Sequence, residues 1–209
     1  MTARRIVSAY YSELGRLRML GGDRALDLAN TTHWRDGAVI DFIPDYKSLI
    51  DWSVSARIIS ANEAQLLHGQ SVQNIQEASD VLRRWLDIRN RFREHLALGA
   101  GQGATQTTHS FKPLARDLAL RLGDFDKSSM FGEFGIDSGS VDLTLPLTRS
   151  YLAIMNLIMF IPQSTIRLCE GDPCGGFFID QSRSKPRRWC AMDSCGNRAK
   201  VNRHRASTK

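Results

Sequence analysis

Apolar residues recur every three or four positions between residues 74 and 98: Ile75, Ala78, Leu82, Trp85, Ile88, Phe92 and Leu96. That spacing puts them on one face of an α-helix. Gly99 and Gly101 are expected to end it, and residues 99–109 read as a loop. Arg83, Arg84, Arg91, Arg93 and Glu94 fall away from the stripe and read as a solvated face. Shorter helices are predicted elsewhere. Asp23 can cap one that starts in ALDLAN, and Asp45 precedes YKSLIDW, whose Leu49, Ile50 and Trp52 form an apolar face. Ser60 and Glu63 have capping-box spacing before AQLL. Leu114, Leu118 and Leu122 form a further stripe. Alternation replaces this period at 131–145, where FGEFGI, a DSGS turn and VDLTLPL predict a β-hairpin. From Leu147 to Leu168 the helical pattern returns, with Pro162 as a break. Its densest part, YLAIMNLIMFI, is too short to span a bilayer and contains Asn156, so it reads as a buried core helix.

Every cysteine lies in the last quarter of the chain. The order is Cys169, four residues, Cys174, fifteen residues, Cys190, four residues, Cys195. Two close pairs so separated have the layout of a four-thiolate zinc site. Each pair would form a knuckle presenting two sulfurs. Phe177 to Ile179 reads as a strand, Gln181 to Pro186 as a turn, and Arg188-Trp189 as the start of a return strand. Glycines at 175, 176 and 196 let the backbone pass close to the ion. The segment from Cys195 onward lacks proline and reads as a basic helix, which completes a treble-clef-like plan. An iron–sulfur cluster also uses four thiolates and stays open as an alternative. Catalytic dithiols favour a two-residue spacing that neither pair has. So few large apolar residues cannot build a core alone, whereas zinc contributes roughly 10–16 kcal/mol in small finger peptides.

Charge sharpens this picture. Residues 181–209 carry nine Lys and Arg against one acid, Asp193, so this segment is +8 in a chain of net +6. The remainder is therefore −2, and the capacity to meet a polyanion belongs to the carboxyl end. The first twenty residues have no apolar run of the kind that directs export. A reducing, cytoplasmic compartment is expected, in which stable disulfides are disfavoured. No membrane association is expected. No nucleotide loop, HExxH or nucleophile elbow occurs, so the chain is not expected to be an enzyme.

The string Trp189-Cys190, then Cys195-Gly196-Asn197-Arg198 and a basic helix, resembles the CGNR zinc finger. Upstream, LDLANT (26–31), the helix holding Asp51-Trp52, and RRWLDIRNRFREHL (83–96) resemble the ABATE domain that accompanies it. Together these cover nearly the whole chain. The resemblance implies a mostly helical ABATE-like domain over 1–166 and a finger over 167–209, with zinc on Cys169, Cys174, Cys190 and Cys195. It further implies a bacterial, cytoplasmic, DNA-binding protein of a family regarded as stress-response regulators of transcription.

The fold expected is thus a mainly α N-terminal domain with one small β-hairpin, followed by a small treble-clef-like finger. DNA-binding candidates are Arg183, Lys185, Arg187 and Arg188 around the turn, and Arg198, Lys200, Asn202, Arg203 and Arg205 on the last helix. Arg and Asn read guanine and adenine edges, and a helix fits the major groove. Asn197 is expected to bond the knuckle backbone, and Arg198 to pair with Asp180 or Asp193 if it is structural. In the N-terminal domain, Asp27, Asn30, Thr31 and Arg89 are candidates to line a pocket for a small-molecule effector, or to satisfy one another, with Asp27 pairing Arg89. That domain is expected to sense a ligand or to form a homodimer. The alternatives are an RNA-binding protein, or a small-molecule-binding protein or enzyme whose zinc module is only structural.

Overall fold

A computed structural model describes residues 5–6, 18–35, 38–101, 116, 141–172, 174–182 and 187–207. A short helix, α1 (Arg24–Ala29), forms where Asp23 accepts a hydrogen bond from the Ala25 N–H at 2.8 Å. Its Ala25, Leu26, Leu28 and Ala29 are wholly buried. A helix apolar on nearly all sides belongs inside, and α1 packs on α4 (Ile75–Gly101) and α5 (Leu145–Phe160). The long α4 also meets α2 (Tyr46–Ser55) and α3 (Ala61–Gln73), so one core joins all five helices.

The caps form as their sequences dictate. Asp45 accepts from Ser48 N, and Ser60 and Glu63 close the capping box of α3. Glu63 does a second job: both its oxygens take the Arg149 guanidinium from α5, at 2.7 and 2.9 Å. The indoles of Trp52 and Trp85 meet edge to face at 5.2 Å, and Trp85 donates its N–H to Ser150 Oγ at 2.9 Å. These contacts tie α2, α4 and α5 together through their largest rings.

The long helix runs past Gly99 to Gly101, further than its glycines predict, and Ile75 at its start is exposed. A β-hairpin that the alternation does not indicate forms early in the chain. Strands β2 (Thr32–Arg35) and β3 (Ala38–Asp41) pair antiparallel, with Thr32 opposite Asp41, and β1 (Arg5–Ile6) runs parallel along β3. Residues 131–140 lie outside the described set, and Val141 to Thr144 are not a strand. The reason is local: Leu145-Pro146 opens α5, and proline in a first turn favours helix initiation. The Leu114, Leu118, Leu122 stripe and residues 102–109 also lie outside the described set. Pro162 does end α5; a 3₁₀ turn (Gln163–Thr165) follows, and then β4 (Ile166–Leu168), where the apolar pattern predicts helix. No helix among the described residues is long and apolar enough to cross a membrane.

Candidate metal centre

The strand β4 pairs antiparallel with β5 (Phe177–Ile179), Ile166 opposite Ile179 and Leu168 opposite Phe177. The first cysteine pair sits in the loop between them. This corrects the expected pairing, in which β5 would return along Arg188-Trp189. Those residues instead approach the knuckle, where Glu170 N donates to Arg188 O at 2.9 Å. Of the second pair, Cys190 precedes a π-helical turn (Met192–Gly196) and Cys195 lies within it, and α6 (Asn197–Ser207) follows directly. Hairpin, knuckle, turn and helix realise the treble-clef-like plan with a different strand partner.

The four sulfurs of Cys169, Cys174, Cys190 and Cys195 lie within 4.8 Å of one another, and none is in a disulfide. Cys174 Sγ is 3.8 Å and Cys195 Sγ 3.7 Å from Cys190 Sγ. A tetrahedral zinc with bonds of about 2.3 Å sets its sulfurs about 3.8 Å apart, so the spacing fits that ion. Cys169, Cys190 and Cys195 are buried and Cys174 is half-buried.

The surroundings suit thiolates. Cys190 N and Gly171 N donate to Cys169 Sγ at 3.3 and 3.4 Å, and Arg198 Nη2 lies 3.0 Å from Cys195 Sγ. The Cys169 thiol is lowered to about 2, chiefly by hydrogen bonds from Cys174 and Cys190 and then by those backbone donors. Cys174 is pushed up to about 12, above all because its proton is shared with Cys169; Cys190 is raised for the same reason. Bare sulfurs this close share protons. A divalent cation held by the four sulfurs would replace those protons and let all four ionise. Gly171 is obligatory: a Cβ there would lie 2.7 Å from Cys195 Cβ and 3.1 Å from its sulfur. Its need was not legible in the sequence, since glycine has many uses in a loop.

The predicted nucleic-acid residues divide sharply. Arg183 and Lys185 lie outside the described residues. Arg187 stacks over Phe178 at 4.8 Å and donates to the carbonyls of Trp189 and Cys190. Arg188 pairs with Glu170 at 2.6 Å and lies over Trp189. Arg198 turns to the Cys195 sulfur rather than to Asp180 or Asp193; Asp193 pairs instead with Arg18 at 2.7 Å. Asn197 reaches Asp193 O at 3.4 Å, as expected of a residue bonding the knuckle backbone. Lys200, Asn202, Arg203 and Arg205 are exposed on α6, where no residue is buried, and make no hydrogen bond or ion pair among the described residues.

The candidates for an effector pocket are occupied internally. Asp27 and Arg89 do not pair. Asp27 Oδ1 accepts from Gly21 N at 2.8 Å, and Arg89 makes a buried two-pronged bridge to Asp41 at 2.7 and 2.8 Å. Thr31 donates to Leu28 O at 2.8 Å. Asn30 bonds both backbone groups of Phe177, giving its amide N–H to the carbonyl and taking the N–H on Oδ1, each at 2.8 Å. Arg93, assigned by its sequence position to the solvated face, reaches in to Ala29 O and Gly175 O at 3.0 and 2.7 Å. Its four-residue spacing from Arg89, beside Phe92, was the only available signal. The described groove on α3, lined by Asn62, Gln65, Leu66, Gly69, Gln70 and Gln73, contains none of these residues.

No curated protein matches the chain. Residues 165–207 match the family model of the CGNR zinc finger, and with four sulfurs placed to grip one ion they form a zinc-binding module of that kind.

Proposed function

We propose that the zinc module presents α6 to duplex DNA, and that the protein regulates transcription through this contact. The observation that carries the reading is the state of α6. It has no buried residue and no acid, and it displays Lys200, Asn202, Arg203 and Arg205 to solvent. At 11 residues the helix is about 16 Å long, and a major groove about 12 Å wide admits a helix. A polar helix this short is marginal by itself in water. Its first turn grows straight from Cys195, so the metal supplies the anchor that packing does not.

The mechanism follows from the division of cations. Arg187, Arg188 and Arg198 shape the module, while Lys200, Arg203 and Arg205 are left to meet phosphates or base edges. Cys169, Cys174, Cys190 and Cys195 would hold zinc, which would lock the two knuckles together. Asn202 adds a side chain suited to adenine. The body then takes the role of partner or effector domain, non-enzymatic, and its homodimerisation is part of the proposal.

Three phosphate contacts predict that log Kobs falls with log salt at a slope of about −2.7. Titration of random duplex DNA at two salt concentrations measures it, and Arg183 and Lys185 would steepen it if they join. Arg203→Ala with Arg205→Ala should weaken binding at least tenfold and flatten the slope by about 2, with zinc content unchanged. Binding that ignores salt, or that survives the double substitution, would refute the reading. Preference for single-stranded RNA in direct competition would assign the surface to RNA instead.

A further inference from the structure

The body and the finger share a seam, and its bonds converge on the Cys174 knuckle. After Cys174 the chain reads Gly175, Gly176, Phe177. The carbonyl of Gly175 receives Arg93 Nη2 at 2.7 Å. Both backbone groups of Phe177 are taken by the Asn30 amide at 2.8 Å, as a neighbouring strand would take them. Ile179 N donates to Gly21 O at 2.9 Å, and Gly21 is itself held by Asp27. The Phe177 ring is 1% exposed and belongs to the main core, with the Arg93 guanidinium 5.2 Å above it. A Cβ on Gly176 would lie 3.4 Å from Cys174 Sγ and 3.6 Å from Asn30 Oδ1, so the metal ligand and the Asn30 amide pass on either side of one glycine. Gly175 has φ +63°, a conformation that ties its carbonyl direction to glycine's freedom.

We propose that Asn30 and Arg93 are positioning residues of the zinc site: the body holds the knuckle that presents Cys174, so metal affinity and body stability are coupled. Neither residue lies within the segment that matches the finger family. Burial lowers the Arg93 pKa from its ordinary value, Arg89 adds to this, and the Cys174 sulfur acts in the opposite sense. A half-buried cation is thus held where a four-thiolate zinc site would carry excess negative charge. Residues that orient ligands from outside the coordination sphere change metal affinity about 10- to 100-fold. Coupling of this kind is reciprocal: what the body lends to zinc binding, zinc returns to the body. The proposal does not depend on what α6 contacts.

The test uses the full chain at 25 °C, with zinc release to a chromogenic chelator as the readout. Asn30→Ala and Arg93→Ala should release zinc about tenfold faster than wild type, Arg93→Lys by an intermediate factor, and Arg91→Ala, an exposed neighbour paired with Asp87, at the wild-type rate. The cobalt-substituted Asn30 and Arg93 variants should also show altered visible absorption, because the Cys174 sulfur is less well placed; a purely packing role would leave that spectrum unchanged. A second arm needs no variant. Chelating zinc from wild type should lower the unfolding midpoint of the body, followed by the buried Trp52–Trp85 pair. Folded variants that keep wild-type zinc release and cobalt spectra would overturn the proposal. If the variants fail to fold, an unchanged body midpoint after chelation would overturn it equally.

Discussion

Helices α1 and α6 are stabilised in opposite ways. α1 has six residues, of which five are buried, and its Asp27 turns inward to hold Gly21. α6 has 11 residues, none buried, and its polar groups turn outward. The first is a helix because the core demands it; the second because a metal-bound turn precedes it. Length alone would rank them in reverse, since α6 is the longer, although both fall below the length at which isolated helices persist in water. Where a helix draws its stability from thus says more about its use than its length does.

Truncation is the sharpest way to break this contrast. Leu28→Ala, at a wholly buried position, should cost about 2–5 kcal/mol in urea unfolding of the zinc-loaded protein. A loss below 1 kcal/mol would mean that burial in the core is not what holds α1. Asp27→Asn comes next. Burial raises the Asp27 carboxyl to about 6, with the charge of Asp23 adding and the Gly21 N–H opposing. The folded state therefore holds this proton more tightly than the unfolded chain does, and stability falls as pH rises from about 4 to 6. Asparagine keeps an oxygen for Gly21 N–H without the charge. The variant should gain on wild type by on the order of 2–3 kcal/mol between pH 4 and 7, and by nothing further above that. Taken as a difference, acid loss of zinc, common to both proteins, cancels. A constant difference across that range would show that the carboxyl is not strained by burial. Val201→Ala, 49% exposed on α6, should move stability by less than about 0.5 kcal/mol. A larger loss would reveal that α6 packs against something in solution.

Much of this was legible because the physics was local. Ser60 and Glu63 announce their cap within four residues, and the cysteine spacing announces a four-sulfur site before any fold is known. The Trp85–Phe92 stripe buries as its period requires. What escaped was non-local. Arg89 on α4 meets Asp41 at the end of β3, and no spacing rule links them. Arg93 sits on the charged side of its helix by period, yet the finger docks there and converts a solvated face into a seam. The strand β4 follows Pro162 and a 3₁₀ turn, but its three residues are too few to show an alternation, so only its pairing with β5 marks it as a strand. Arg187, Arg188 and Arg198 look like free cations in a basic tail, but the module uses each of them for its own construction.

One feature of the cluster bears on how the protein can be dissected. The last sulfur belongs to Cys195, and the first unengaged cation is Lys200. Assembly of the module and its outward charge are therefore written in sequence on either side of a single helical turn. A chain stopped at Ala199 keeps every ligand and every tether to the body while discarding the outward-facing charges.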